Sequence, residues 1–359
     1  MTLYKNENIV TNSIRWFGLW LNNNVDVAIL AIAIIIVIPF YILSQWCNNI
    51  YWQKVTIVSI AALIVYYRLK SSPLLIILHV ALIIIGFLLL FLAFPFPWLF
   101  VLLCASMAAF TIRLAGWDSD LRTFGNFTFI PALYLACEFN HGFAGEARLQ
   151  EVLNFIPYIA YATIPVLILS IYNYYYSYNA GQKKSLLSFM LQLYHKPRSA
   201  CQGISFIEPL IAITLAVSLS ALLVEAEEVT KGQWLIWSSA SVITGEISTV
   251  SRKLRDRAIG AMVGVPLGII LGTLLPHTTF YVNLGSLCTL LTLVAFRNYV
   301  LGFGSRCCFI ALVITLMNEG VMSAGERILN VLLGGIIGVS IFYITHKTIE
   351  WRKQTLLDK

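Results

Sequence analysis

Charge is scarce in this chain. Asp, Glu, Lys and Arg supply 11% of its 359 residues, hydrophobic residues supply 59%, and the mean hydropathy is +0.81. A soluble domain could not hide so much apolar side chain, so lipid is the expected solvent for most of the chain. Seven cysteines are present (Cys47, Cys104, Cys137, Cys201, Cys288, Cys307 and Cys308), but no CxxC pair and no even-spaced framework. That pattern supports neither disulfides nor a thiolate metal site, and the cysteines read as small buried side chains. Histidine is as sparse: His79, His141, His195, His277 and His346 stand apart from acids at metal-ligand spacing. No glycine-rich loop ends in Gly-Lys-Ser/Thr and no Ser/His/Asp arrangement stands out. The chain therefore reads as non-enzymatic, with no metal and no cofactor. Its net charge of +7 resides in short loops between apolar runs, which makes it a topology signal and excludes nucleic acid as a partner. No cleavable signal is read at the N-terminus, since the first apolar run begins near residue 26 without a small-residue cleavage site.

What the chain has in quantity is apolar runs. Twelve are expected to span, at roughly 26–46, 51–66, 73–94, 97–113, 125–139, 153–175, 206–224, 233–250, 258–275, 279–296, 306–318 and 328–346. Backbone groups in lipid need internal partners, and continuous rather than alternating runs exclude a barrel, so all twelve are expected to be helices. With both termini cytoplasmic, twenty of the 24 Lys and Arg fall on inner loops and four outside (Lys54, Arg148, Lys231 and Arg327). That imbalance sets the orientation: a multi-pass protein of the inner membrane.

Charges at the edges of these runs recur. Asp26, Glu138, Gly145-Glu146 and Arg148 reappear about 180 residues later as Glu208, Glu319, Gly325-Glu326 and Arg327. Charges there are costly, so their recurrence points to duplication. The expected architecture is an all-α polytopic bundle of about twelve transmembrane helices in two parallel six-helix repeats, as in many secondary transporters. The divisions are 1–25 interfacial, 26–175 first repeat, 176–204 a cytoplasmic amphipathic linker, 205–347 second repeat and 348–359 a cytoplasmic tail. The fifth run of each half is short, and about twelve residues cover only about 18 Å of a roughly 30 Å hydrocarbon core. Short spans at corresponding places point to a midplane binding site; boundaries set too tightly would give the same pattern.

The second half carries the most specific text. Gln233-Trp234 opens a run, a basic loop Ser251–Arg257 follows, and Gly260, Gly264, Gly268 and Gly272 then recur at every fourth position. Glycines at that spacing share one helix face and admit a neighbouring backbone. Arg297-Asn298-Tyr299, Gly325-Glu326-Arg327 and a second small-residue face of Gly334, Gly335 and Gly338 complete the series. Over residues 206–347 this order resembles the fusaric acid resistance / aromatic acid exporter family. Trp234, Arg257, Gly260, Gly264, Asn298, Tyr299, Arg327, Gly334 and Gly335 occupy the family's places, while Ala261 replaces a threonine and Leu235 an expected polar or small residue. The resemblance implies proton-driven export of aromatic or other organic acids, with a periplasmic membrane-fusion adaptor as partner; large family members also carry cytoplasmic domains, for which this chain is expected to have no room.

The residues themselves add support. A carboxylate substrate needs cations, for which Arg257, Arg297, Arg306 and Arg327 are candidates, and stacking walls, for which Trp234, Trp237 and Tyr299 serve, beside Asn298. Proton coupling needs a buried acid, and Glu246, Glu208 and Asp26 lie nearest the apolar runs. Each has a plainer reading: an ion pair of Glu246 with Arg252 or Arg257, and a helix N-terminus for Asp26 and Glu208. Expected partners are lipid and a small organic acid, and the sequence is compatible with a homo-oligomer. A non-transporting scaffold of an envelope complex is the alternative.

Overall fold

The computed structural model describes residues 22–118, 120–142, 146–176, 206–229, 231–243, 247–317 and 320–357. The N-terminal aromatic segment, the linker, Gly145, Glu246 and Glu319 lie outside the described residues. Thirteen helices follow one another: α1 Val27–Trp46, α2 Tyr51–Lys54, α3 Thr56–Leu69, α4 Pro73–Ala93, α5 Pro97–Ala115, α6 Leu121–Gly142 and α7 Glu146–Tyr176 in the first half. The second half holds α8 Ile207–Ala226, α9 Gln233–Val242, α10 Ile247–Leu274, α11 Thr279–Ala295, α12 Tyr299–Leu316 and α13 Gly320–Leu357. Local sequence sets several starts. Ser72 accepts from Leu75 N at 3.4 Å ahead of Pro73, and Asn298 accepts from Val300 N at 3.0 Å, each satisfying an amide that the first turn leaves open.

Among the described residues, eight helices are long and apolar enough to cross a bilayer. Their outward faces are apolar as well, with Ile35, Met262 and Leu274 at 72%, 68% and 76% exposure. Such an exterior suits hydrocarbon rather than water, and the chain is a multi-pass helical membrane protein.

Two expectations need correction. The fifth helices are longer than their apolar runs: α6 has 22 residues and α12 has 18, or about 33 Å and about 27 Å at helical rise, and among the described residues only α12 of the two is also apolar enough to cross a bilayer. Arg122 and Arg306 made their first turns look like loops, yet both side chains are engaged inside the bundle. Not counting the one-turn α2, the short helices are the second of each half, α3 with 14 residues and α9 with 10. The expected loop Ser251–Arg257 is helical, inside α10, and the break falls earlier, where Ile243 turns extended at φ −76°, ψ 105°. Residues 348–357 are helical and continue α13.

Packing repeats between the halves. The third and fifth helices pair in each (α4 with α6, α10 with α12), as do the fourth and fifth and the second and sixth. Each half's first helix meets the other's fourth, α1 against α11 and α8 against α5. A bridge between Val25 and Phe296, with Asp26 N to Ala295 O at 2.8 Å and Arg297 N to Asn24 O at 2.9 Å, fastens the start of α1 to the α11–α12 turn.

Candidate functional site

Four helices of the second half, α9, α10, α12 and α13, surround one cavity. It is lined by Trp234, Trp237, Ser238, Arg257, Phe303, Arg306, Cys307, Ile310, Arg327 and Val331. The glycine series sets how closely its walls stand. A Cβ on Gly264 or Gly268 would collide with the carbonyl of Gly304 or Cys308 in α12, and one on Gly272 would meet Thr315 Cβ at 2.6 Å. Across α13, a Cβ on Gly334 or Gly338 would strike Leu235 and the α9 side chains Ser238 and Val242, and one on Gly335 would meet Leu254 Cδ1 at 2.7 Å. Helices that touch backbone to backbone hold arginines from separate elements within one small space.

Three guanidinium groups meet there. Arg257, 5% exposed, donates from Nε to Tyr299 Oη at 2.8 Å and from Nη1 to Ser238 Oγ at 2.7 Å, with its Cζ 4.9 Å from the Phe303 ring centre. Arg306 donates to Thr292 Oγ1 at 3.2 Å and to its carbonyl at 3.3 Å. Arg327 stacks on Trp234, its Cζ 3.4 Å from the ring centre, and Trp237 lies 5.2 Å beyond. Every protein partner named here is neutral. Among the described residues no carboxylate stands within ion-pair distance of any of the three. One buried and two half-buried cations thus share a small space that no carboxylate lines, with Glu138 bearing on Arg327 only from beyond ion-pair distance, and an anion there would offset their charge. The cavity is about 20 Å³, room for roughly one water. A larger anion enters only when the walls part.

Of the expected substrate residues, Trp234, Trp237, Arg257, Arg306 and Arg327 line the cavity, and Tyr299 reaches it through its bond to Arg257. Two stand elsewhere: Asn298 caps α12 and Arg297 is exposed at the α11–α12 turn. Sequence reasoning missed Ser238, Phe303 and Cys307. Ser238 and Phe303 carry a signal in retrospect, since Ser238 lies four residues past Trp234 and Phe303 four past Tyr299, one turn along the same helix faces.

The expected coupling acids divide. Asp26 caps α1, accepting from Ile29 N at 3.4 Å. Glu208 instead contacts His346 Nδ1 at 2.7 Å, whose Nε2 lies 3.1 Å from Glu350, with Lys347 Nζ 3.9 Å from Glu350. This cluster ties the start of α8 to the last turns of α13. Its side chains are 17% to 62% exposed, so the Glu208–His346 pair should add little to stability. Glu208→Gln is expected to cost less than about 1 kcal/mol, read as a small shift of the thermal midpoint in detergent.

The first half differs at the corresponding place. Tyr51, Trp52, Phe139, Phe155 and Tyr158 fill it ring against ring, Phe139 and Phe155 at 4.6 Å and Trp52 and Tyr158 at 4.8 Å. Lys54 covers the Phe139 ring at 4.9 Å.

No curated protein and no solved structure matches the chain. A family model described as fusaric acid resistance protein-like matches residues 215–341. Every residue lining the arginine cavity falls within that range. Residues 215–341 are thus a fusaric acid resistance protein-like region, and the anion-suited cavity lies wholly inside it.

Proposed function

We propose that the chain is an inner-membrane secondary transporter that exports aromatic or other organic acids, driven by the proton motive force. One observation carries the reading: one buried and two half-buried guanidinium groups and two indoles converge on one cavity with no carboxylate among its lining residues. Guanidinium forks bind carboxylates with directional hydrogen bonds, and the indole faces suit an aromatic ring. The like pairing of helices in both halves supports two six-helix repeats, and the Lys and Arg imbalance supports termini on the cytoplasmic side. Alternating access would then part the walls of the second-half cavity while the aromatic-filled first half supports it.

For coupling, Glu208 is the candidate acid whose carboxylate meets a histidine, His346, at a junction of two helices, α8 and α13. Export beyond a second membrane would draw on a periplasmic adaptor.

The test is accumulation of labelled benzoate-class acids in cells with and without the protein, each with and without an uncoupler. Lower accumulation that depends on both the protein and the gradient supports the reading; equal accumulation in all four conditions ends it. If Glu208 carries the proton, Glu208→Gln flattens the pH dependence of export while leaving acid binding by purified protein unchanged.

A further inference from the structure

A second, larger cavity lies away from the arginines, and its chemistry is of the opposite sign. It measures about 360 Å³ and is lined by Phe94, Pro95, Cys137, Asn140, Val224, Glu225, Glu228, Val229, Gly232 and Gln233. The ends of α4, α6 and α8 and the start of α9 build it, so it stands at the end of the bundle that the charge distribution places outward. Its volume falls within the range of small-molecule sites, about 300 to 1,000 Å³. Much of its wall is apolar, and no Lys or Arg lines it.

Its polar groups all offer acceptor oxygens. Glu225 sits in the last turn of α8, and Glu228 follows in a left-handed conformation at φ 47°. Neither forms an ion pair among the described residues. The independent observation is Gln233. It is 4% exposed, lines the cavity, and its Oε1 has no hydrogen-bond partner. A buried amide oxygen left without a donor costs about 1–3 kcal/mol, and a ligand carrying an N–H or a cationic C–H face would remove that cost. Phe94 supplies an aromatic wall of the kind that attracts ammonium groups. No group of three His, Cys, Asp or Glu suited to a metal ion occurs among the described residues, so the chemistry points to an organic cation.

We propose that this cavity binds a lipophilic ammonium ion, its charge between Glu225 and Glu228 and its apolar body against Phe94, Pro95 and Val229. The site is separate from the arginine cavity, and its test does not depend on acid export.

The experiment is calorimetric titration of the purified full chain, in uncharged detergent, with benzyltrimethylammonium and, separately, with its neutral carbon isostere and with benzoate. Saturable binding of the ammonium is expected, absent for the isostere, weakened tenfold or more by Glu225→Gln and severalfold by Gln233→Met. Circular dichroism and the thermal midpoint confirm that each variant is folded; if Glu225→Gln is not, Glu228→Gln takes its place. Three results overturn the proposal: no saturable binding, equal binding of the isostere, or an affinity that the folded variants leave unchanged. Loss of binding to sodium chloride and to choline chloride in equal measure also overturns it, because that behaviour marks charge screening alone.

Discussion

Arg257→Gln is expected to remove about 30- to 140-fold of the affinity for benzoate-class acids, without unfolding the protein. Arg257 is the most enclosed of the three cavity cations, and Ser238 and Tyr299 fix its guanidinium from two directions. An acid lodged against it would lose a desolvated, charge-assisted partner, a change of about 2–3 kcal/mol, and each 1.4 kcal/mol is tenfold. Glutamine can still bond Ser238, so the fold has little reason to fail. Arg257→Lys keeps the charge but gives up the planar fork, and an intermediate loss of about tenfold is expected. Equilibrium binding of labelled acid to purified protein measures both variants. Wild-type affinity in Arg257→Gln would remove the cavity from the path of the acid.

Gly268→Leu should do far more harm, and to the fold rather than to binding. A Cβ at Gly268 already collides with the Cys308 carbonyl and would come within 2.8 Å of Ala311 Cβ, and backbone cannot swing aside as a side chain can. Forcing α10 and α12 apart along their closest seam is expected to cost about 3 kcal/mol or more. The protein should fail to accumulate in membranes, or its thermal midpoint in detergent should fall sharply. Gly325→Ala is the matched control. Nothing lies within 4 Å of a Cβ there, and alanine suits a helix better than glycine by up to about 1 kcal/mol. An unaltered midpoint in Gly268→Leu would mean that the seam is loose.

Much of this arrangement was legible in the sequence, and the reasons differ from one residue to the next. Continuous apolar runs announced helices in lipid because no other structure satisfies the backbone there. The fourfold glycine spacing announced a close seam because only glycine leaves room for a carbonyl. Arg257, Arg306 and Arg327 were legible as candidates, though for an incomplete reason: they were counted among loop charges that set orientation. All three lie inside helices, and the imbalance of Lys and Arg survives their removal. Helix ends were the weakest inference. A polar residue in an apolar run looks like a boundary until its partner is known, and the partners of Arg306 and Arg122 come from afar. Thr292 belongs to another helix, and the Ile243 carbonyl that Arg122 engages belongs to the other half of the chain. Of the acidic cavity only the neighbouring acids Glu225 and Glu228 are visible in the sequence, because Phe94, Cys137 and Gln233 lie far apart in the chain and only the packing of helix ends brings them together.

The smallness of the arginine cavity bears on energy as well as on recognition. A carrier that let hydronium or sodium slip through at rest would short-circuit the gradient that drives it. If the proposed acid route runs through this cavity, it narrows there to room for about one water, lined by three guanidinium groups. Cations would meet an electrostatic barrier at such a constriction, as they do where an arginine guards a water pore. On that proposal the groups that welcome an acid would also keep the membrane insulated while none is bound.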